Sequence, residues 1–117
     1  MYAGHAFGFA EKGRSRPEEF ELVLANREKV LPWIKEYSPI ELVTKDDVPI
    51  YLDYPNQKTP PVFGQNEPDP THSALYGIKL VEKLNSAGIE GVLSYPEHKD
   101  TKYGSINDFL IKKLTAK

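Results

Sequence analysis

The sequence predicts an α/β fold, and three observations carry that expectation. Residues 48–55, Val48-Pro49-Ile50-Tyr51-Leu52-Asp53-Tyr54-Pro55, form an apolar and aromatic run that alternates only weakly, as a strand covered on most of both faces does. Leu75, Ile78, Leu80, Val81 and Leu84 then recur at helical spacing and make a core-facing stripe. A second short apolar run at 89–95 leads through a polar turn to a last amphipathic helix. Strand, helix, strand and helix make a βαβα unit, whose crossover is expected to be right-handed and whose strands are expected to lie parallel.

The elements before this unit are read from their boundaries. Residues 1–14 are rich in glycine and aromatics and read as loop. Ser15-Arg16-Pro17-Glu18 has the form of a capping box with proline early in the helix. Phe20, Val23, Leu24, Val30 and Leu31 follow at helical spacing and predict a helix over 17–31. Pro32 is expected to end or kink it. Ser38 should cap one short helical turn at 39–43, and Lys45-Asp46-Asp47 makes a polar turn into the first strand.

Residues 55–70 contain six prolines and glycines (Pro55, Pro60, Pro61, Gly64, Pro68, Pro70) and read as a long loop of the functional kind. Asp69 and Pro70 have the form of a helix start, and Gly88 stands where a left-handed C-terminal residue belongs. Ser105 opens a second capping box, with Asp108 in the acidic position, ahead of Ile106, Phe109, Leu110, Ile111 and Leu114.

Composition excludes several classes of function. The chain has 117 residues, about one small domain, with 39% hydrophobic and 27% charged residues. No apolar run approaches the ~20 residues of a membrane span, so no membrane partner is expected. Met1-Tyr2-Ala3-Gly4-His5 lacks the pattern of a signal peptide. A formal charge of −2 with scattered lysines gives no basic stripe, so no nucleic-acid partner is expected.

The absence of cysteine excludes disulfides, zinc thiolates and thiol catalysis. His5, His72 and His98 are too widely spaced for a local metal motif. Neither metal nor cofactor is expected.

Two parallel strands alone leave both edges and much of both faces open. The unit therefore looks cut from a larger sheet, or else able to form a homo-oligomer through its strand edges. A family likeness supports the first option. Residues 33–114 resemble the C-terminal part of the α/β-hydrolase fold, in particular small esterases and lipases of the acetylxylan-esterase-like group.

The likeness rests on Ser38-Pro39-Ile40, on Pro49-Ile50-Tyr51-Leu52-Asp53-Tyr54 as a seventh strand, and on Asp69-Pro70-Thr71-His72-Ser73. It continues through Leu80-Val81-Glu82-Lys83-Leu84, Ala87-Gly88-Ile89-Glu90 and Asn107-Asp108-Phe109-Leu110. Under this resemblance residues 1–37 are a loop and helical cap-like segment, and 38–117 are the C-terminal βαβα part of the hydrolase domain.

The resemblance implies a serine carboxylester hydrolase, with a small-molecule ester as substrate once an N-terminal half completes the site. The acid of a Ser–His–Asp triad follows the seventh strand in such enzymes, and the histidine follows the eighth. Asp69 then holds the acid role, while its bland alternative is a helix N-cap. The place of the histidine is held by Tyr103-Gly104. A phenol with a free pKa near ~10 cannot serve as the base at neutral pH. His98, five residues earlier, serves if the loop 96–104 folds back; otherwise it is a solvated loop residue. His72, in the first turn of a helix, reads as a surface or packing residue.

The nucleophile elbow Gly-x-Ser-x-Gly is missing. Gly4-His5-Ala6-Phe7-Gly8 has the glycine spacing but carries alanine at the serine position, and no His-Gly-Gly oxyanion segment is present. The expected function is thus the C-terminal segment of a serine esterase, inactive alone, with acetylated carbohydrate as a candidate substrate of the whole enzyme. The alternative is a non-catalytic α/β interaction domain or pseudoenzyme remnant. Trp33, Tyr37, Tyr51 and Tyr54 either pack in the core or offer faces on which a sugar ring could stack.

Overall fold

The computed structural model describes residues 12–65 and 67–116. The chain divides into two compact units, one running to Leu42 and the other Val43–Lys117. The first unit contains α1 (Arg16–Ala25), α2 (Arg27–Tyr37) and the short α3 (Pro39–Leu42). The second contains β1 (Ile50–Asp53), a 3-10 turn (Pro70–His72), α4 (Ala74–Ser86), β2 (Gly91–Ser94) and α5 (Ile106–Thr115). Mixed α/β character is therefore present, with helices and a two-stranded parallel sheet. No helix among the described residues is long and apolar enough to cross a membrane.

In the first unit the Glu18 carboxylate accepts hydrogen bonds from both the N–H and the hydroxyl of Ser15, at 2.7 and 2.6 Å, and so fastens the start of α1. The single helix expected over 17–31 is in fact two. The break falls at Asn26, whose backbone leaves the helical region (φ −110°, ψ 17°) and whose side-chain amide donates to the Leu22 carbonyl at 2.9 Å. Asparagine competes for backbone groups in this way and so favours interruptions. Pro32 lies inside α2 and does not end it. Val23 and Val30 are buried, while Phe20, Leu24, Trp33 and Tyr37 stay exposed.

In the second unit β1 and β2 pair with Ile50 opposite Gly91, Tyr51 opposite Val92, Leu52 opposite Leu93 and Asp53 opposite Ser94. Both strands are shorter than the apolar runs that predicted them. Pro49 and Pro55 flank β1 and lack an N–H to extend a ladder. Beyond β2, Tyr95 turns away to pair with His98.

The helix α4 covers one face of the sheet. A Cβ built on Gly77 would lie 2.6 Å from Tyr54 Cε2 and 2.8 Å from Leu93 Cδ1. One on Gly91 would lie 3.0 Å from Val81 Cγ2 and 3.1 Å from Leu84 Cδ1. Two missing side chains, one on the helix and one on the strand, thus let the backbones approach. Leu84 and Ala74 are wholly buried there. The opposite face of β1 carries Tyr51, whose ring lies 5.4 Å from that of the buried Phe109 on α5. Each face of the pair has its own helix.

One end of each of these helices carries the expected cap. Gly88 has φ +81° after α4, a conformation that a side chain disfavours. Ser105 accepts from the Asp108 N–H at 3.1 Å and donates its hydroxyl to the Asp108 carboxylate at 2.6 Å.

Gly77→Ala tests the close seating of α4. Alanine improves helix propensity by about 1 kcal/mol, but the Cβ must displace the Tyr54 ring and Leu93, and overpacking costs about 1–3 kcal/mol. A net loss is expected, read as a lower urea midpoint by circular dichroism. An unchanged or raised midpoint would show that the tyrosine ring swings aside freely.

Candidate functional site

The segment after β1 is organised by side chains from both of its ends. The Gln57 carbonyl oxygen accepts from the Ala74 N–H at 2.9 Å, and its amide donates to the Thr59 carbonyl at 2.8 Å. Ser73 donates to Glu67 Oε1 at 2.8 Å and accepts from the Leu75 N–H at 3.1 Å. The first amides of α4 are satisfied by these two residues, and the Glu67 carboxylate sits where the helix dipole favours negative charge.

Asp69 is therefore not the cap of α4; Ser73 is. Asp69 opens the 3-10 turn, and its side chain makes no capping bond. Its carboxylate accepts from the Thr71 hydroxyl at 2.8 Å and meets His72 Nδ1 at 2.8 Å. An ionised carboxylate has no proton to give, so Nδ1 must carry it. In the neutral ring Nε2 is then the acceptor. The His72 and Thr71 bonds hold the Asp69 carboxyl below the usual range for aspartate. Both members are exposed, with 78% of the His72 side chain and 62% of the Asp69 side chain accessible. This is a solvated carboxylate–imidazole pair, three residues apart.

His98 lies elsewhere in this unit. It closes a tight turn, with Tyr95 N–H donating to the His98 carbonyl at 3.0 Å and His98 N–H to the Tyr95 carbonyl at 2.8 Å. Its exposed ring stacks on Tyr95 at 5.3 Å between centroids. No hydrogen bond joins Asp69 to His98 among the described residues. His98 lines a broad open groove of about 730 Å³ with Asn85, Glu90, Asp100 and Lys102; Asp69 does not.

Tyr103, at the place where the resemblance expects a histidine, is engaged by its surroundings. Its hydroxyl donates to Glu90 Oε1 at 2.6 Å, and its ring meets Phe109 edge-on at 5.1 Å. Glu90 also binds Lys102 and Lys113, so one carboxylate at the start of β2 ties down the loop before α5 and the end of α5 itself. The hydrogen bonds from Lys102, Lys113 and Tyr103 lower the Glu90 carboxyl from its ordinary 4.5 to about 2.

Among the described residues no group of three or more His, Asp or Glu side chains is placed to hold a metal ion. Gly4-His5-Ala6-Phe7-Gly8 lies outside the described residues. Of the aromatics considered for sugar stacking, Tyr51 packs on Phe109 and Tyr54 on Gly77, while Trp33 and Tyr37 are exposed on α2.

Comparison with protein-family models, with curated proteins and with solved structures returned no match to this chain. The site is therefore described by its own geometry. Two residues in it escaped the sequence reading. His72 was legible as the partner of Asp69 only through the i, i+3 spacing of a helical turn. Glu90 carried no signal, because its three partners come from 12 to 23 residues further along the chain.

A carboxylate with a depressed folded pKa stabilises above its unfolded value and loses that contribution as the pH falls through the folded one. Glu90→Gln should therefore cost about 1–2 kcal/mol at pH 7, where three donors lose their charged acceptor. The gap between wild type and variant should shrink as the pH falls from about 4.5 to about 2. Urea midpoints across that range give the comparison. A gap independent of pH would show that the carboxylate charge is not what holds the loop and helix.

Proposed function

We propose that residues 38–117 are the C-terminal βαβα portion of an α/β-hydrolase, specifically of a serine carboxylester hydrolase. They contribute Asp69 to an active site whose nucleophile and oxyanion hole come from residues outside this chain. The observation that carries this reading is the Asp69–His72 pair in the loop after the first of two parallel strands. Open α/β sheets keep their chemistry in such loops. A carboxylate on Nδ1 fixes the tautomer that leaves Nε2 free to take a proton from serine.

In this chain the imidazole that Asp69 holds is that of His72. The base is therefore either His72, or His98 after Asp69 exchanges partners as the site is completed. Tyr103 is excluded from that role by its chemistry and by its bond to Glu90. The complete enzyme transfers an acyl group to serine and then to water. An acetylated carbohydrate suits the resemblance.

A second reading, a non-catalytic interaction domain, is favoured by a different observation. Asp69, His98 and Tyr103 each have separate partners, and Ser73, adjacent to His72, is a buried cap rather than a free hydroxyl.

The chain alone should not hydrolyse p-nitrophenyl acetate above buffer; turnover blocked by a fluorophosphonate would refute the claim that the site is incomplete. The message upstream of Met1 should encode, in frame, a strand followed by Gly-x-Ser-x-Gly and a helix. In that longer protein Asp69→Asn should lower kcat by roughly 10²–10⁴-fold, and either His72→Ala or His98→Ala should match it. A stop codon immediately upstream, or full activity of Asp69→Asn, favours the interaction domain.

A further inference from the structure

The two outer edges of the sheet are not equivalent. Ile50 N–H donates to the Glu90 carbonyl and Tyr54 N–H to the Ser94 carbonyl. Strand residues alternate in direction, so Ile50, Leu52 and Tyr54 turn their backbone groups toward β2. Tyr51 and Asp53 turn theirs outward. By the same parity the outer edge of β2 presents Gly91, Leu93 and Tyr95.

That second edge is partly closed, although no described residue pairs with the outward backbone groups of Leu93. Tyr95 uses both its N–H and its carbonyl on His98, and Gly91 N–H has a long contact of 3.5 Å to Asn85 Oδ1. On the outer edge of β1, no described residue pairs with the backbone of Tyr51 or Asp53. Pro49 and Pro55, the next outward-facing positions on either side, have no N–H. The open edge is short and fenced.

We propose that two copies of this chain pair antiparallel through the outer edges of β1, with the two-fold axis at Leu52. The register follows from the fence. With Tyr51 opposite the second copy's Asp53, both donors of each copy find a carbonyl, and the prolines face one another with no donor unmatched. Centring on Tyr51 sets Asp53 against Pro49, which returns no N–H. Centring on Asp53 sets Tyr51 against Pro55 and brings two aspartates together, a like-charge apposition that destabilises a sheet.

Only the Leu52-centred register matches both the N–H and the carbonyl of Tyr51 and of Asp53 while keeping the carboxylates apart. The product is an isologous dimer with a four-stranded sheet, past the size at which sheets become stable by themselves. This proposal does not rest on the hydrolase reading. A completing strand entering at β1 would compete with the second copy for the same edge.

Hydrogen exchange and sedimentation on the intact chain test it. Between about 1 and 200 μM the chain should pass from monomer to dimer, and the amides of Tyr51 and Asp53 should gain at least ~10-fold protection. The amides of Ile50, Leu52 and Tyr54 should stay protected at both concentrations. Asp53→Pro removes one outward donor from each copy and should shift dimerisation to at least ~10-fold higher concentration, with the β1–β2 ladder intact. A monomer throughout the range, a dimer whose Tyr51 and Asp53 amides exchange freely, or an Asp53→Pro dimer as tight as wild type would each overturn the proposal. If Asp53→Pro fails to fold, the wild-type exchange pattern decides alone.

Discussion

The close approach of α4 to the β1–β2 pair is the constraint on which the Val43–Lys117 unit depends. Glycine at 77 lets the helix sit tightly against Tyr54 and Leu93, and glycine at 91 eases the approach of the strand to Val81 and Leu84. With α4 seated, Gly88 can turn the chain back into β2, and Glu90 arrives where Lys102, Tyr103 and Lys113 can bind it. The ion-pair cluster therefore rests on helix packing. Packing sets the distances, and the charges then tie the later segments to a position already defined.

Much of this unit could be read from its residues. The alternating run at 50–54, the stripe from Leu75 to Leu84 and the caps at Gly88 and Ser105 are local patterns with local causes, and each is present. The first unit was less legible. Pro32 drew attention as the breaker, yet the interruption came at Asn26, where a side-chain amide and an altered backbone conformation end the helix together. A proline costs one N–H bond within a helix, and α2 tolerates that cost.

The site was the least legible part, for a physical reason. Asp69 does lie in a loop past a strand, but a carboxylate binds the nearest suitable donor, and Thr71 and His72 are nearer along the chain than His98. Cap assignment failed in the same place. Ser73 stands one residue before α4 and takes the role that Asp69 was positioned to fill. Glu90 and Tyr103 find each other across 13 residues, a separation over which no spacing rule operates.

The neck formed by Gln57, Glu67 and Ser73 has a further implication for how this chain can diversify. These side chains close the stem between the end of β1 and the first turn of α4, so the segment between them is a tethered bight. Closing a longer loop on a fixed stem adds only about 0.6 kcal/mol for each doubling of its length. Insertions between residues 58 and 65 can therefore lengthen this segment while the stem beneath keeps its shape.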